Sequence, residues 1–280
     1  MRCSAYVRAS AQVRPPAVAG RFYPGSATQL GAAVHDLLAA TEPGEVAAKG
    51  VIAPHAGYVY SGPIAATAYA SVRARAAAIT KVVLLGPAHR VYVEGLALPS
   101  AARFATPLGE IEIDAELAAA VVELPQVTRS DQAHAQEHSL EVHLPFLQTL
   151  LPRFTLLPLV VGDAGPAAVA EVLERVWGGP ETLIVISSDL SHFHSYADAQ
   201  RLDQATAAWI QASRAPGLDP NLACGARCID GLIEFGRRHP LALELLDLRN
   251  SGDTAGDRDR VVGYAAFAIH ERLAGPGEPA

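Results

Sequence analysis

Cysteine is scarce in this 280-residue chain, which contains only Cys3, Cys224 and Cys228. Three cysteines do not supply the dense disulfide framework that stabilises small secreted domains. The first sixteen residues, MRCSAYVRASAQVRPP, lack the apolar segment that a secretory signal contains. No apolar run reaches the length that is needed to span a bilayer. We therefore expect a soluble protein of the cytoplasm.

Positive charge is also in short supply. The chain has 22 Lys and Arg residues against 29 Asp and Glu residues, which gives a formal net charge of −7. The basic residues are scattered, so neither a nucleic-acid-binding surface nor a polybasic lipid anchor is expected. Aromatic residues make up only 6% of the chain, whereas hydrophobic residues make up 50%. This excess of small and branched apolar residues argues against global disorder and favours helices and parallel strands around a buried core.

The order of the apolar runs predicts one α/β domain. Strands are expected at 49–54, 81–86 and 182–187, and a helix that Ser61 could cap at 61–75. Strands that alternate with helices imply a mostly parallel central sheet with helices on both faces. Two further strands near the end of the chain are expected to add antiparallel members to the sheet. With no linker in the pattern, we expect a flexible leader at 1–13, a single domain at 14–273 and a tail at 274–280.

Polar side chains follow three of the predicted strands at the point where each strand ends. His55 follows the first strand, His89 follows the second, and Asp189 and His192 follow the third. Ligands of open α/β sheets bind beyond the carboxyl ends of the strands, so we expect these residues to share one site. A lone histidine is usually an ordinary hydrogen-bonded residue, but three such placements at one edge favour a shared site. Imidazole ligands suit iron, copper and zinc alike.

A second polar cluster lies in the segment DQAHAQEHSLEVHLPFL. Its ionisable residues include His134, Glu137, His138, Glu141 and His143. Two interpretations stay open for this cluster. One is support of the functional site, and the other is an ordinary helix start with Ser139 as the N-cap and charges in the first turn. We expect His143 to be a surface residue.

Cys224 precedes Gly225 and a predicted helix in the segment LACGARCID. A thiol at a helix N-terminus is available as a thiolate ligand or a redox centre. Most free cysteines, however, are small buried residues, and position alone favours that interpretation for Cys224. Cys228 follows one helical turn later and is interpreted as core packing.

Seven segments of the chain together resemble the Memo-like family, whose bacterial and archaeal members are called AmmeMemoRadiSam system protein B. The resemblance runs from about Arg14 to about Leu273. In chain order, the segments are RPPAVAGRFYP, APHAGYVYSGPIAA, LLGPAHR, EHSLEVHLPFLQ, SSDLSHFH, ACG and NSGDTAGDRDRVVGYAAFAI.

The resemblance implies a fold similar to that of class III extradiol dioxygenases. It also implies one metal ion, iron or copper rather than zinc, held by His55, His89 and Cys224. Asp189 and His192 match a pair that lies in the same pocket of the family. The extradiol enzymes use two histidines and a carboxylate, so a cysteine in third place puts ring cleavage in doubt, because thiolate is itself oxidisable.

Three functions follow as hypotheses. The first is a metal-dependent oxidoreductase in which His192 is the acid or base and Asp189 orients it. In that hypothesis the residues His138, Glu137 and Tyr58 surround the metal ligands. The second is a scaffold that binds a metal or a peptide and acts with radical-SAM and AMMECR-type partners. The third and weaker hypothesis is metal-assisted hydrolysis with His192 or Glu137 as the base. No GxGxxG or Walker A motif supports nucleotide binding.

Overall fold

Twelve strands form two sheets in the computed structural model, which describes residues 12–42, 48–212 and 215–272. Of the predicted leader, only residues 12 and 13 fall within this part of the chain, and the predicted tail lies wholly outside it. The strands are β1 (Val13–Arg14), β2 (Gly50–Ala53), β3 (Lys81–Pro87), β4 (Leu96–Leu98), β5 (Arg103–Thr106), β6 (Gly109–Glu112), β7 (Val127–Arg129), β8 (Thr155–Val161), β9 (Thr182–Ser187), β10 (His192–His194), β11 (Leu241–Asn250) and β12 (Val261–Glu271).

Eight α-helices connect the strands in the described part of the chain. Short 3-10 turns also occur at Arg73–Ala78, Glu141–His143 and Ser251–Asp253. The helices are α1 (Ala27–Ala39), α2 (Tyr58–Ala70), α3 (Ala115–Val122), α4 (Asp131–Ala135), α5 (Leu144–Leu150), α6 (Pro166–Val176), α7 (Tyr196–Ala212) and α8 (Ala226–Gly236).

The main sheet has nine strands and is parallel at its centre. Its order is β10-β12-β2-β9-β3-β8-β4-β7, and β11 pairs with β12 outside this path. The four central strands β2, β9, β3 and β8 are parallel, whereas β12 and β4 flank them in the antiparallel sense. The central strands are apolar runs that are buried on both faces, as a parallel sheet covered by helices requires. The predicted single-domain α/β fold is confirmed, with a mixed sheet flanked by helices.

Helices cover both faces of this sheet. Strand β3 shows why, because Val82 and Leu84 point into one apolar core and Val83 and Leu85 point into the other. The first core packs against α1, α2 and α5, and the second packs against α3, α6, α7 and α8. The carboxyl ends of the parallel strands therefore remain the open edge at which a ligand can bind.

Two helix starts differ from the prediction. Helix α2 begins at Tyr58 with Gly57 in the N-cap position, and the Ser61 hydroxyl donates to the Ala56 carbonyl instead of capping the helix. The N-cap assigned to Ser139 is also wrong. Its hydroxyl donates to the Pro87 carbonyl, and the chain enters a 3-10 turn before α5. At Ser139 a contact with a distant segment outweighs the local capping signal, whereas Ser61 bonds to a carbonyl five residues earlier in the chain.

Gly231 allows α6 and α8 to pack closely. A Cβ at this position would lie 2.2 Å from Val169 Cγ1 and 2.3 Å from Val169 Cβ. We expect Gly231→Ala to lower the free energy of unfolding by about 1–3 kcal/mol, because it overfills a packed helix interface. Gly31→Ala in α1 is the control, since its nearest neighbour is 3.8 Å away and alanine favours the helix by up to about 1 kcal/mol. Equal stability of the two variants in urea unfolding would contradict this account of the interface.

Candidate metal centre

Three histidines converge at the carboxyl edge of the sheet. His55 follows β2, His89 follows β3, and His138 lies between α4 and the Glu141–His143 turn. One ligand atom from each of them lies within 4.8 Å of the others, which is close enough to hold a metal ion. The ring centroids of His55 and His89 are 5.2 Å apart, and those of His89 and His138 are 4.7 Å apart. His55 and His89 thus lie together at the carboxyl ends of β2 and β3, as the sequence predicts.

His55 is held from three sides. Its backbone N–H donates to Asp189 Oδ1 at 2.7 Å, its Nδ1 lies 2.6 Å from Ser187 Oγ, and its Nε2 lies 3.3 Å from Cys224 Sγ. The side chain is buried, and this burial, with the neighbouring histidines, holds the pKa of His55 well below its usual range. A neutral imidazole is the form that binds a metal.

Glu137 orients His89 and is itself almost wholly buried. Its carboxylate accepts from the His89 backbone N–H at 2.7 Å and lies 2.9 Å from His89 Nδ1. Burial alone would raise the pKa of Glu137, but contacts with His138 and His89 hold it well below its usual range. The carboxylate can accept the Nδ1–H of His89 and so favours the tautomer whose Nε2 is free to bind a metal, as in a carboxylate–histidine–metal site.

His138 belongs to the histidine cluster itself, whereas the sequence predicts it only among the residues that surround the metal ligands. Its backbone N–H donates to Glu137 Oε1 at 2.9 Å. Its Nδ1 is 3.2 Å from the same oxygen but is buried without a hydrogen-bond partner among the described residues. A buried polar atom of this kind calls for a ligand, a water or an ion. The donor set of three imidazoles therefore fits a metal ion.

Cys224 stands beside His55, just before α8. Its Sγ accepts from the Asp189 backbone N–H at 3.2 Å, and its own N–H donates to the Asp189 carbonyl at the same distance. Burial and the nearby Asp189 carboxyl raise the pKa of the Cys224 thiol well above its usual range, so the metal-free thiol keeps its proton. Gly225 makes this placement possible, because a Cβ there would lie 2.4 Å from the Ser187 carbonyl oxygen.

An open cavity of about 400 Å³ adjoins His138 of the histidine cluster. Asp189 and His192 both line it, and the hydrogen bond of the Asp189 carboxylate goes to the His55 backbone N–H. Tyr58 lies behind the site, where its hydroxyl donates to the Val142 carbonyl at 2.7 Å. The acid or base role of His192 stays a prediction. The cavity walls include Phe22, Tyr60, His138, Asp189, His192 and Arg260.

Glu141 anchors the N-terminal segment against this cavity. It lies in the first turn of the Glu141–His143 3-10 helix, as the helix-start interpretation expects, but its side chain is fully buried and pairs with the N-terminal segment. The segment that it holds carries Phe22, whose ring centroid is 4.8 Å from that of His138. The carboxylate accepts from the Arg14 guanidinium, the Ala17 and Val18 backbone N–H groups and the Tyr23 hydroxyl.

The remaining histidines of the second cluster lie in the interior. The expectation that His143 is a surface residue is wrong, because it is 1% exposed and lies between Tyr69 and Ser187. Burial lowers the pKa of His143 to about 3, so the ring is neutral. His134 is equally buried, and its Nε2 pairs with the Ala97 carbonyl. Sequence reasoning did not single out Ser187, although it ends an apolar strand and begins the segment SSDLSHFH.

The fold and the site together define a single-domain α/β protein with a histidine cluster that can hold a metal ion. The chain belongs to the Memo-like family, whose model matches residues 14–268, and the resemblance found in the sequence is thereby confirmed. A MEMO1 family protein of Aquifex aeolicus is 35% identical and covers 90% of this chain and 97% of its own length. Another, from Methanopyrus kandleri, is 36% identical and covers 91% and 98%. Among the described residues, no helix combines the length and apolarity that crossing a membrane requires.

Proposed function

We propose that this protein binds one iron or copper ion and uses it for redox chemistry. His55, His89 and Cys224 would hold the ion, and His138 is a further imidazole within reach. The convergence of three histidine ligand atoms within 4.8 Å is the observation that carries the proposal. Family membership supports it, because the resemblance implies iron or copper.

The donor set favours iron or copper over harder cations. Imidazole suits iron, copper and zinc, and a thiolate is a soft ligand that favours copper(I), zinc and iron over magnesium or calcium. The contact of 3.3 Å between Cys224 Sγ and His55 Nε2 supports the thiol as a further ligand beside His55. Bound iron or copper would supply electron-transfer chemistry at this position.

The chain's own residues prepare the site and its cavity. Glu137 orients His89 through its carboxylate, and Asp189 fixes the backbone of His55. Phe22 and Tyr60 contribute aromatic side chains to the wall of the cavity. His192 lines the same cavity and is the candidate for proton transfer to or from a bound ligand.

The role of Cys224 is tested by its pH-dependent contribution to metal affinity. The metal-free thiol is protonated, so binding as a thiolate releases one proton, and the affinity should rise by about tenfold per pH unit near neutrality. We expect Cys224→Ser to weaken Cu(I) or Fe(II) binding and to lose this slope. Anaerobic competition titrations from about pH 6 to about pH 8 measure both the metal affinity and its dependence on pH.

Cys228→Ala is the matched control, because Cys228 lies four residues later in α8 and is buried in the core. It should keep both the affinity and the pH slope of the wild type. Equal, small effects of the two substitutions would exclude Cys224 as a ligand and leave the three histidines as the donor set.

A further inference from the structure

The Ser187 hydroxyl lies at the centre of a buried hydrogen-bond network behind the metal centre. Its Oγ is 2.6 Å from the Ser139 carbonyl oxygen, 2.6 Å from His55 Nδ1 and 2.8 Å from His143 Nε2. The side chain is fully buried at the end of β9. Because the hydroxyl is buried, these three protein groups must satisfy its capacity to donate and accept hydrogen bonds.

A hydroxyl has one hydrogen to donate and two lone pairs that accept. The Ser139 carbonyl can only accept, so the single hydrogen of Ser187 must point towards it. The two lone pairs then face His55 and His143, and both of these rings must present an N–H. His55 therefore carries its proton on Nδ1.

Tyr69 provides an independent check of this assignment. Its buried hydroxyl lies 2.9 Å from His143 Nδ1, and no other described group accepts its hydrogen, so it donates to a bare Nδ1. His143 must then carry its proton on Nε2, which is the nitrogen that faces Ser187. One set of proton positions thus satisfies the whole network of Tyr69, His143, Ser187 and Ser139.

We propose that Ser187 and His143 are positioning residues that fix the tautomer and the orientation of His55. With its proton on Nδ1, His55 turns an unprotonated Nε2 towards Cys224 Sγ, 3.3 Å away, where the metal ion is proposed to bind. The opposite tautomer would place an N–H there and block coordination. The assignment of the tautomer stands on the hydrogen bonds alone, whereas its consequence for metal affinity rests on the proposed function.

The tautomer can be measured in metal-free protein. Long-range ¹H–¹⁵N correlation spectra of protein labelled with [¹⁵N]histidine distinguish protonated from unprotonated ring nitrogens. We expect His55 to show a protonated Nδ1 and a bare Nε2, with the signals assigned by their absence from His55→Gln. Ser187→Ala should remove the acceptor of Nδ1–H, so that His55 exchanges between tautomers, and it should weaken metal affinity by about 10–100-fold.

Ser71→Ala is the control for loss of a buried serine. The Ser71 hydroxyl donates to the Ala68 carbonyl at the end of α2, remote from the cluster, so this variant should keep the wild-type tautomer and affinity. A second variant, His143→Gln, keeps a donor towards Ser187 and should preserve the His55 tautomer even if Ser187→Ala does not fold.

The outcomes separate this inference from the proposed function. A proton on Nε2 of His55 in the wild type would overturn the inference, and so would a folded Ser187→Ala with an unchanged tautomer. An Nδ1–H tautomer that disappears in Ser187→Ala would support it. If the wild type shows that tautomer but takes up neither iron nor copper, the proposed function fails while the assignment of the tautomer stands.

Discussion

Replacing His55 with alanine is expected to lower the affinity for Fe(II) or Cu(I) by more than about 100-fold. Loss of a group that only supports a ligand typically costs 10–100-fold, and loss of the ligand itself should cost more. His55 lies beside all three other candidate ligands, since its ring faces both His89 and His138 and its Nε2 faces Cys224. Anaerobic competition with a chromophoric chelator measures the change.

His35→Ala is the control for this measurement. The His35 side chain is 77% exposed on α1, so its removal should leave the affinity unchanged. A His55→Ala variant that is folded and binds as tightly as the wild type would show that the ion is held elsewhere.

Replacing Arg14 with alanine is expected to lower the free energy of unfolding by about 3–5 kcal/mol. The substitution leaves the Glu141 carboxylate buried without its cation, and this is the most costly way to break an ion pair. The Arg14 guanidinium also donates to the carbonyls of His134 and Glu137, which lose those partners. Urea unfolding followed by circular dichroism measures the loss.

The exposed pair of Arg103 and Glu110 provides the contrast. Its two side chains are 42% and 47% exposed, and Arg103→Ala should cost no more than about 1 kcal/mol. If Arg14→Ala and Arg103→Ala cost the same, Glu141 does not anchor the N-terminal segment in the way described here.

The long buried strands were predictable and the short ones were not. Strands β3 and β9 are uninterrupted apolar runs, and their type follows from sequence alone. Strands β1, β4 and β7 have only two or three residues each, too few for a periodic pattern. Helix α1 has a local pattern that was not among the predicted elements. Leu30, Val34 and Leu38 recur at helical spacing after the N-cap Ser26.

The site residues likewise divide into those that the sequence predicts and those that it does not. His55 and His89 follow strands, so the rule for strand ends predicts their meeting. His138 lies on a loop whose path is fixed by Glu137 and Ser139, and such long-range contacts leave no local pattern. The position of Cys224 depends on the packing of Gly225 against Ser188, so the resemblance, and not the local sequence, pointed to this residue.

The metal content of the protein as it is made in the cell tests the central claim most directly. Protein purified without oxygen and without a metal-binding tag should contain about one iron or copper ion per chain by mass spectrometry, since one mononuclear site is proposed. A variant with both His55→Ala and His89→Ala should contain almost none. The claim would be contradicted if the wild type contained neither metal, or if the double variant kept the same content.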